Sequence, residues 1–183
     1  MSYPVDAVKR QWDTGALNQV WVGDITYLWL CEGWLYLATV LDAHSRRVID
    51  WAIAGHMRTD LIQVALVMAM ALRGERLEHE IFHSDRDTQY ASAQITAFAK
   101  QDRITRSMGD AGVCWDNAMA ESLFATFKTE FYHRRVGPSK NKASRGAGAW
   151  VEDRHRHTAL GQVSPVDFEL QYSKQTAVFA EAA

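Results

Sequence analysis

The N-terminal part of the chain contains runs rich in β-branched and aromatic residues, separated by short turn signals. Such runs have the composition of β-strands, and they occupy residues 20–30, 34–41 and 47–54. The turn signals are Glu32-Gly33 and the polar segment 42–45. Because short turns join consecutive strands as antiparallel neighbours, the pattern predicts a three-stranded meander.

After residue 58 the spacing of apolar positions changes, and helices alternate with short strands. Thr59 can cap a helix over residues 61–72, which is apolar on nearly every face and should be buried. Four elements follow, namely a strand at 80–83, a helix at 92–101, a strand at 103–108 and a helix at 116–132. The last one is a strong helix signal, because Phe124, Phe127 and Phe131 recur three and four residues apart.

The C-terminal part of the chain has weaker helical signals. Residues 143–155 predict a helix, although Gly146 and Gly148 lower its propensity. Ser164-Pro165 can open a final short helix, and the tail from Gln175 should be loose. The whole order predicts an α/β fold with a mixed five-stranded sheet, three antiparallel strands first and parallel strands afterwards, flanked by helices.

Length and composition indicate one globular domain. The chain has 183 residues, of which 48% are hydrophobic and 23% charged. We expect an arm at 1–19, a core at 20–135, and a helical extension and tail at 136–183 that belong to the same domain. No apolar run approaches the roughly 20 residues of a membrane span, no secretion signal is visible, and the two cysteines lack a zinc pattern. These features favour a cytoplasmic protein.

The charge is small overall but unevenly distributed. A net charge of −2 argues against a protein that coats nucleic acid through bulk charge. Seven lysines and arginines nevertheless fall between Arg134 and Arg156, against only Glu152 and Asp153. Such a run is either a solvated surface or a local patch for phosphates.

Three carboxylates stand out by position. Asp24 lies in the middle of a predicted strand, where aspartate is disfavoured. Asp85 follows a short strand, and Glu121 lies early on the helix at 116–132. Each has an ordinary alternative, as a loop cap, a turn residue and a solvated helix residue respectively. The three side chains can meet only if the first strand is central and the helix crosses it.

Several ordered motifs resemble the DDE transposases of bacterial insertion sequences, whose core is similar to that of retroviral integrases. They are VWVGDITYL, GWLYLATVLDAHSRRVI, HSDRDTQY, CWDNAMAES, LFATFKTE, HTALG and SPVDF, at residues 20–28, 33–49, 83–90, 114–122, 123–130, 157–161 and 164–168. Thirty-five residues, 86–120, separate Asp85 from Glu121, as the family expects. The resemblance covers nearly the whole chain.

The resemblance implies an RNase H-like fold and a specific chemistry. Asp24, Asp85 and Glu121 would be the catalytic residues and would hold Mg²⁺, two ions in number, with Mn²⁺ as a substitute. Water would cut a DNA strand, and the freed 3′-hydroxyl would attack target DNA. The implied partners are the DNA ends of the mobile element, the target DNA and at least one further copy of the chain, in a prokaryotic cytoplasm near the nucleoid. No membrane and no small-molecule cofactor is expected.

Further residues have two interpretations each. Lys128 would contact element-end DNA by resemblance, or it is a solvated helix lysine. Asn117, with Asp116, matches a family Asp-Asn pair and is a candidate for DNA contact, or these residues cap the helix that carries Glu121. Other candidates for DNA contact are Arg86, Arg154 and Arg156. His83 is expected to be a packed or hydrogen-bonded residue, and Trp21, Trp34 and Trp51 are expected in the core rather than as platforms for bases.

Three departures from the family pattern leave alternatives open. Asp87 replaces a usual glycine, residues 150–157 are shorter than expected and lack a Tyr-Asn pair, and a helix-turn-helix region is missing before Val20. The main hypothesis is a transposase or integrase catalytic core. One alternative is a truncated, non-catalytic remnant that binds DNA or a full-length transposase. The other is an RNase H-like nuclease that only hydrolyses.

Overall fold

The computed structural model describes residues 3–74, 80–109, 117–135, 139–152 and 157–181. Within these ranges it contains five strands, six α-helices, a π-helical turn and a 3₁₀ turn. The strands are β1 Val20–Leu30, β2 Gly33–Asp42, β3 Val48–Ala54, β4 Ile81–Ser84 and β5 Thr105–Met108. The α-helices are α1 Thr59–Arg73, α2 Ala93–Gln101, α3 Ala118–Phe127, α4 His133–Arg135, α5 Lys140–Glu152 and α6 Pro165–Glu181. The π-helical turn is Lys128–Tyr132, and the 3₁₀ turn is Thr158–Leu160.

The strands form one mixed sheet in the order β3-β2-β1-β4-β5, which confirms the predicted α/β architecture. β1, β2 and β3 are antiparallel neighbours, whereas β4 pairs in parallel with β1 and β5 in parallel with β4. The parallel contact is short, because β4 pairs only with Val20–Gly23 of β1. β1 is therefore central in its first four residues, and among the described strands it has no neighbour on that side beyond Gly23.

The alternation of side chains along β1 separates two layers of core. Trp21 lies in the core shared with α1 and α2. Val22 and Leu28 point to the other face. Val22 belongs to a cluster with Met119 and Ala120 of α3. Leu28 belongs to a second cluster, with the phenylalanines of α3 and of the π-helical turn. Asp24 falls on this second face by the same alternation. No helix within the described ranges is long and apolar enough to cross a membrane.

Glycines let aromatic rings lie directly against the backbone of α5. A Cβ atom added at Gly146 would come within 2.6 Å of the Phe131 ring, and one at Gly148 within 2.5 Å of Trp51. The two residues that weaken the helix locally are thus the ones that permit its close contact with the sheet and with the π-helical turn. This helix begins at Lys140, earlier than predicted.

Two predictions at helix ends are wrong. α1 begins at Thr59, but its cap position is Arg58, and no side chain caps the helix. The final helix, α6, is neither short nor followed by a loose segment from Gln175, since it continues to Glu181. Local signals underestimated α6 because contacts from distant parts of the chain hold it in place.

Those contacts centre on the buried carboxylate of Glu169 in α6. Its oxygens accept hydrogen bonds from Ser45 Oγ at 2.6 Å, Arg47 Nη1 at 2.6 Å and Arg73 Nη2 at 2.5 Å. Burial raises the pKa of Glu169, but the hydrogen bonds from Arg73 and Ser45 and the charge of Arg73 outweigh it, so the pKa lies below its ordinary value. The ionised carboxylate thus joins α6 to α1 and to the turn before β3.

Glu169→Gln should lower the free energy of unfolding at pH 7 by about 3 kcal/mol, because it removes one partner from a buried ion pair. A carboxylate whose pKa is lowered by folding stabilises above its ordinary pKa, and this contribution disappears as the pH falls. The difference between variant and wild type should therefore shrink towards pH 3 in denaturant titrations. Glu32→Gln, at an exposed carboxylate, is the control and should change little at either pH. An equal loss for the two variants would contradict this role.

Candidate active site

Asp24 is a buried carboxylate on the face of β1 that α3 covers. It is 9% exposed, and its Oδ1 accepts the backbone N–H of Ile25 at 2.7 Å. Its Oδ2 accepts a hydrogen bond from Asn117 Nδ2 at 2.8 Å, across 93 residues of sequence. Asp24 is thus held both by its own strand and by the residue that precedes α3.

Asp85 follows the last residue of β4 directly. Ser84 is the register partner of Gly23, so Asp85 and Asp24 occupy equivalent positions one residue beyond the end of the β1–β4 pairing. Asp85 is half-buried, and its Oδ1 accepts the backbone N–H of Asp87 at 3.1 Å. A Cβ atom at Gly23 would lie 2.2 Å from the Phe82 ring, so glycine is required where that ring crosses β1.

The charge of Asp85 acts on the buried carboxyl group of Asp24. Burial, and after it the negative charge of Asp85, raises the pKa of Asp24 to about 7, against hydrogen bonds from Ile25 and Asn117 that lower it. Burial also raises the pKa of Asp85, with a further contribution from Asp87. Asp87 itself is exposed. Negative charge is therefore disfavoured at both carboxyl groups until a positive charge joins them.

This pair fits a divalent cation. Carboxylate oxygens are the ligands that Mg²⁺ prefers. A cation between Asp24 and Asp85 would favour the ionised form of both groups, against the burial that raises both pKa values and the charge of Asp85 that raises that of Asp24 further. The side chain of Asn117 adds a third oxygen, because its buried Oδ1 has no hydrogen-bond partner among the described residues. The chemistry of these donors matches a hard, partly hydrated ion.

Glu121 lies on α3, four residues after Asn117. Residues four apart lie on one face of a helix, so Glu121 lies on the same face of α3 as Asn117, whose side-chain amide binds Asp24. Its side chain is exposed. In the described ranges, no group of three or more His, Cys, Asp or Glu residues is arranged to hold a metal ion. The structure brings Asp24 and Asp85 together, and the meeting of all three carboxylates stays a prediction.

The helix-capping role considered for Asn117 is wrong. Asn117 occupies the cap position of α3, but its side chain makes no capping hydrogen bond and binds Asp24 instead. Sequence reasoning missed this contact, and the only sequence signal for it was the family's Asp-Asn pair. Asp116 lies outside the described residues.

The other predicted residues fall in different places. The Lys128 ammonium lies 5.2 Å from the centre of the Tyr27 ring, and the Arg86 guanidinium 5.4 Å from that of Tyr3. Arg154 and Arg156 lie outside the described residues. His83 is 1% exposed, and its Nδ1 is 2.8 Å from Ser107 Oγ, as expected for a packed, hydrogen-bonded residue.

The three tryptophans expected in the core differ from one another. Trp21 is fully buried and Trp51 half-buried, but Trp34 is 42% exposed. The prediction for Trp34 is therefore wrong. α1 covers the sheet near Trp21 and does not extend over the outer end of the β1–β2 hairpin.

Comparison with known proteins assigns the family. Two family models described as integrase core domain match residues 16–114 and 102–165. The chain belongs to the integrase core domain family. Asp24 and Asp85 fall within the first match, and Glu121 within the second.

Insertion-sequence transposases are among the relatives of this integrase core domain. It is 40% identical over 156 residues to the InsF transposase of insertion sequence IS3A from Escherichia coli (strain K12), covering 83% of this chain and 54% of the relative. It is 32% identical over 181 residues to a Mycobacterium tuberculosis (strain ATCC 25177 / H37Ra) relative assigned to element IS986/IS6110, covering 94% and 65% respectively. The chain therefore spans about half to two thirds of these relatives.

Solved retroviral structures share the fold. A simian T-cell lymphotropic virus intasome, in complex with a PP2A regulatory subunit, superimposes with a TM-score of 0.69 at 16% identity, covering 91% of this chain and 58% of that one. The HTLV-2 integrase catalytic core in complex with magnesium gives 0.61 at 15% identity, covering 82% and 95%. The BIV integrase core gives 0.61 at 14% identity, covering 87% and 99%. The predicted RNase H-like fold is confirmed.

Asp24→Asn should stabilise the metal-free protein at high pH. Folding raises the pKa of Asp24 from 3.8 to about 7. The protonated carboxyl group therefore contributes its full stabilisation of the fold below pH 3.8, and this contribution is lost as the pH rises through 7. The neutral amide avoids this loss. In denaturant titrations with a chelator, the variant should gain up to roughly 4 kcal/mol over wild type at pH 8 and little at pH 4.

Asp50→Asn is the matched control, because Asp50 is a half-buried strand residue whose Oδ1 also accepts the next backbone N–H at 2.7 Å. It should show no comparable gain between pH 4 and pH 8. Parallel stability curves for wild type and Asp24→Asn over this range would refute the buried-charge account of Asp24.

Proposed function

We propose that this integrase core domain cleaves DNA strands and joins them to target DNA, with Asp24, Asp85 and Glu121 as its catalytic carboxylates. The observation that carries the proposal is the pair formed by buried Asp24 and half-buried Asp85, directly beyond the parallel pairing of β1 with β4, with Asn117 bound to Asp24. Family membership supports the reaction class, because relatives are named transposases. Glu121 is included as the third carboxylate because of the spacing of the motifs and because it lies one helical turn after Asn117.

Asp24, Asp85 and Glu121 would hold Mg²⁺, with Mn²⁺ as a substitute and two ions as the number that the reaction class favours. Bound there, the cations would neutralise charge on the phosphate and favour deprotonation of the attacking oxygen. The magnesium complex of the HTLV-2 integrase core is consistent with this cofactor.

The residues of the chain fix the geometry of this site. Asn117 donates to Asp24 Oδ2, and the Ile25 N–H binds Oδ1, so the carboxylate has one orientation. The Asp87 N–H orients Asp85 in the same way. Because rigid donors and acceptors need no rearrangement during the reaction, they contribute to the rate through positioning.

Both steps are displacements at phosphorus. In cleavage, a water oxygen bonds to phosphorus and the strand's 3′-oxygen leaves with a proton. In joining, this 3′-hydroxyl loses its proton and bonds to a target phosphorus, from which another 3′-oxygen leaves. Lys128 and Arg86, with Arg154 and Arg156, are the proposed contacts to DNA phosphates.

The complete reaction involves more than one partner. We propose element-end DNA, target DNA and at least a second copy of the chain, in a prokaryotic cytoplasm near the nucleoid. Retroviral relatives in structure are described as an intasome and as dimeric and trimeric forms of a catalytic core, which is consistent with assembly on DNA.

Strand-joining assays with a pre-cut DNA end test the proposal. Wild-type protein with Mg²⁺ or Mn²⁺ should yield joined products, and Asp24→Asn, Asp85→Asn and Glu121→Gln should each lose at least about a hundredfold in rate. Asp50→Asn should retain the rate. Hydrolysis without joining would favour an RNase H-like nuclease, and folded wild-type protein that binds DNA without chemistry would favour the non-catalytic alternative.

The replacement of the family's glycine by Asp87 should shift the pH dependence of activity. Its negative charge raises the pKa of both Asp24 and Asp85, so its removal lowers both values. Asp87→Gly and Asp87→Asn should therefore move the acid limb of the joining rate to lower pH. The asparagine variant removes the charge alone, so a shift seen only with glycine would assign the effect to the backbone instead.

A further inference from the structure

The outer end of the β1–β2 hairpin carries three exposed aromatic side chains on one face. Tyr27, Trp29 and Trp34 are 55%, 57% and 42% exposed, and we call these three residues the aromatic face. Tyr27 and Trp29 alternate along β1, and Trp34 is the register partner of Trp29 on β2. The Trp34 ring meets the other two edge to face, with centre distances of 5.3 Å to Tyr27 and 4.7 Å to Trp29.

Cross-strand aromatic pairs stabilise hairpins, and this accounts for part of the cluster. Hairpin stability does not explain why about half of each of these side chains is exposed to water. Trp21, earlier on the same side of β1, is fully buried. Exposed aromatic patches on a soluble domain mark surfaces that bind a partner. The charges around this patch indicate which partner.

Two lysines lie beside the aromatic face. Lys128 Nζ is 5.2 Å from the centre of the Tyr27 ring. Lys140 Nζ lies at the hairpin turn, 3.8 Å from the position that a Cβ atom would take on Gly33. Rings next to fixed cations favour a ligand that has flat π-surfaces and negative charges, as the bases and phosphates of a nucleic acid strand do.

The π-helical turn after α3 sets Lys128 at this place. Lys128 is its first residue, and Tyr132, its last, donates from Oη to the Trp29 carbonyl at 2.7 Å. That hydrogen bond lies in the part of β1 that β4 does not reach. π-helical turns within α-helices are frequent at functional sites, and here the turn joins the Glu121 helix to the hairpin.

The aromatic face is close to the candidate active site. Tyr27 follows Asp24 by three residues, about 10 Å along an extended strand. Asp24 lies on the opposite side of the sheet, and Lys128 extends from the α3 layer to a ring on the aromatic side. A DNA strand whose phosphates contact Lys128 would therefore lie next to the Tyr27 ring and at the end of the helix that carries Glu121.

We propose that the aromatic face and Lys128 bind unpaired nucleotides of the DNA strand next to the cleavage position, by stacking bases on Trp29 and Trp34. This inference rests on the proposed function for its biological substrate, but binding itself needs no catalysis. A duplex end that opens on the protein would place such nucleotides on the rings. Stacking tolerates any base, so the surface would not select sequence.

Binding of fluorescent oligothymidylate, compared with a blunt duplex, tests this without chemistry when a chelator is present. Trp29→Leu and Trp34→Leu should each weaken single-strand binding between roughly fivefold and a hundredfold, because leucine keeps bulk but cannot stack. Trp34→Phe should retain most of the affinity. Leu170→Ala, at another exposed apolar residue, should bind as wild type does.

Thermal unfolding of each variant separates loss of binding from loss of fold. Unchanged single-strand affinity in both folded leucine variants would overturn the inference, as would equal weakening of single-strand and duplex binding. If those variants instead lose self-association in sedimentation while their affinity for oligothymidylate is unchanged, a second copy covers the face and the inference fails. Strand joining by the wild-type protein in that case would leave the proposed function intact.

Discussion

Four residues of β4 pair in parallel with the first four of β1, and this short contact decides where Asp24 and Asp85 lie relative to each other. Each aspartate is the first residue after the paired segment on its strand. Their carboxyl groups are therefore neighbours in a partly dry environment, and the pKa of Asp24 rises to about 7. Gly23 allows the contact because the Phe82 ring occupies the space of a side chain there.

The carboxyl groups of Asp24 and Asp85 lower the stability of the fold, and other contacts in the structure offset this loss. The hydrophobic core packs on both sides of β1, and the glycine-mediated contacts of α5 and the ion pairs of Glu169 stabilise other parts of the fold. This arrangement resembles the trade between stability and activity that is common in enzymes, in which unfavourable local electrostatics are retained because the reaction needs them. The hydrogen bond from Asn117 limits the cost without neutralising the charge.

The edge of β1 beyond Gly23, which no strand among the described residues covers, connects the candidate active site with the aromatic face. Where β4 ends, the strand continues as one arm of a hairpin, and the π-helical turn of the Glu121 helix is fixed to it by Tyr132. One helix thus carries the residue that orients Asp24, the predicted third carboxylate and the lysine beside the aromatic face. A movement of this helix would therefore displace Asn117, Glu121 and Lys128 together.

The sequence by itself determined the order of strands and helices, the antiparallel meander and the family, because these depend on the spacing of apolar residues and on motifs within short segments. It also singled out Asp24, in the middle of a predicted strand, and Asp85, directly after one. The tertiary structure alone decided that Asn117 binds Asp24 instead of capping α3, that Trp34 is exposed, and that α6 extends to Glu181. Each of these outcomes depends on contacts between residues far apart in sequence, and local spacing carries no information about which distant side chain will supply a hydrogen bond or leave a ring uncovered.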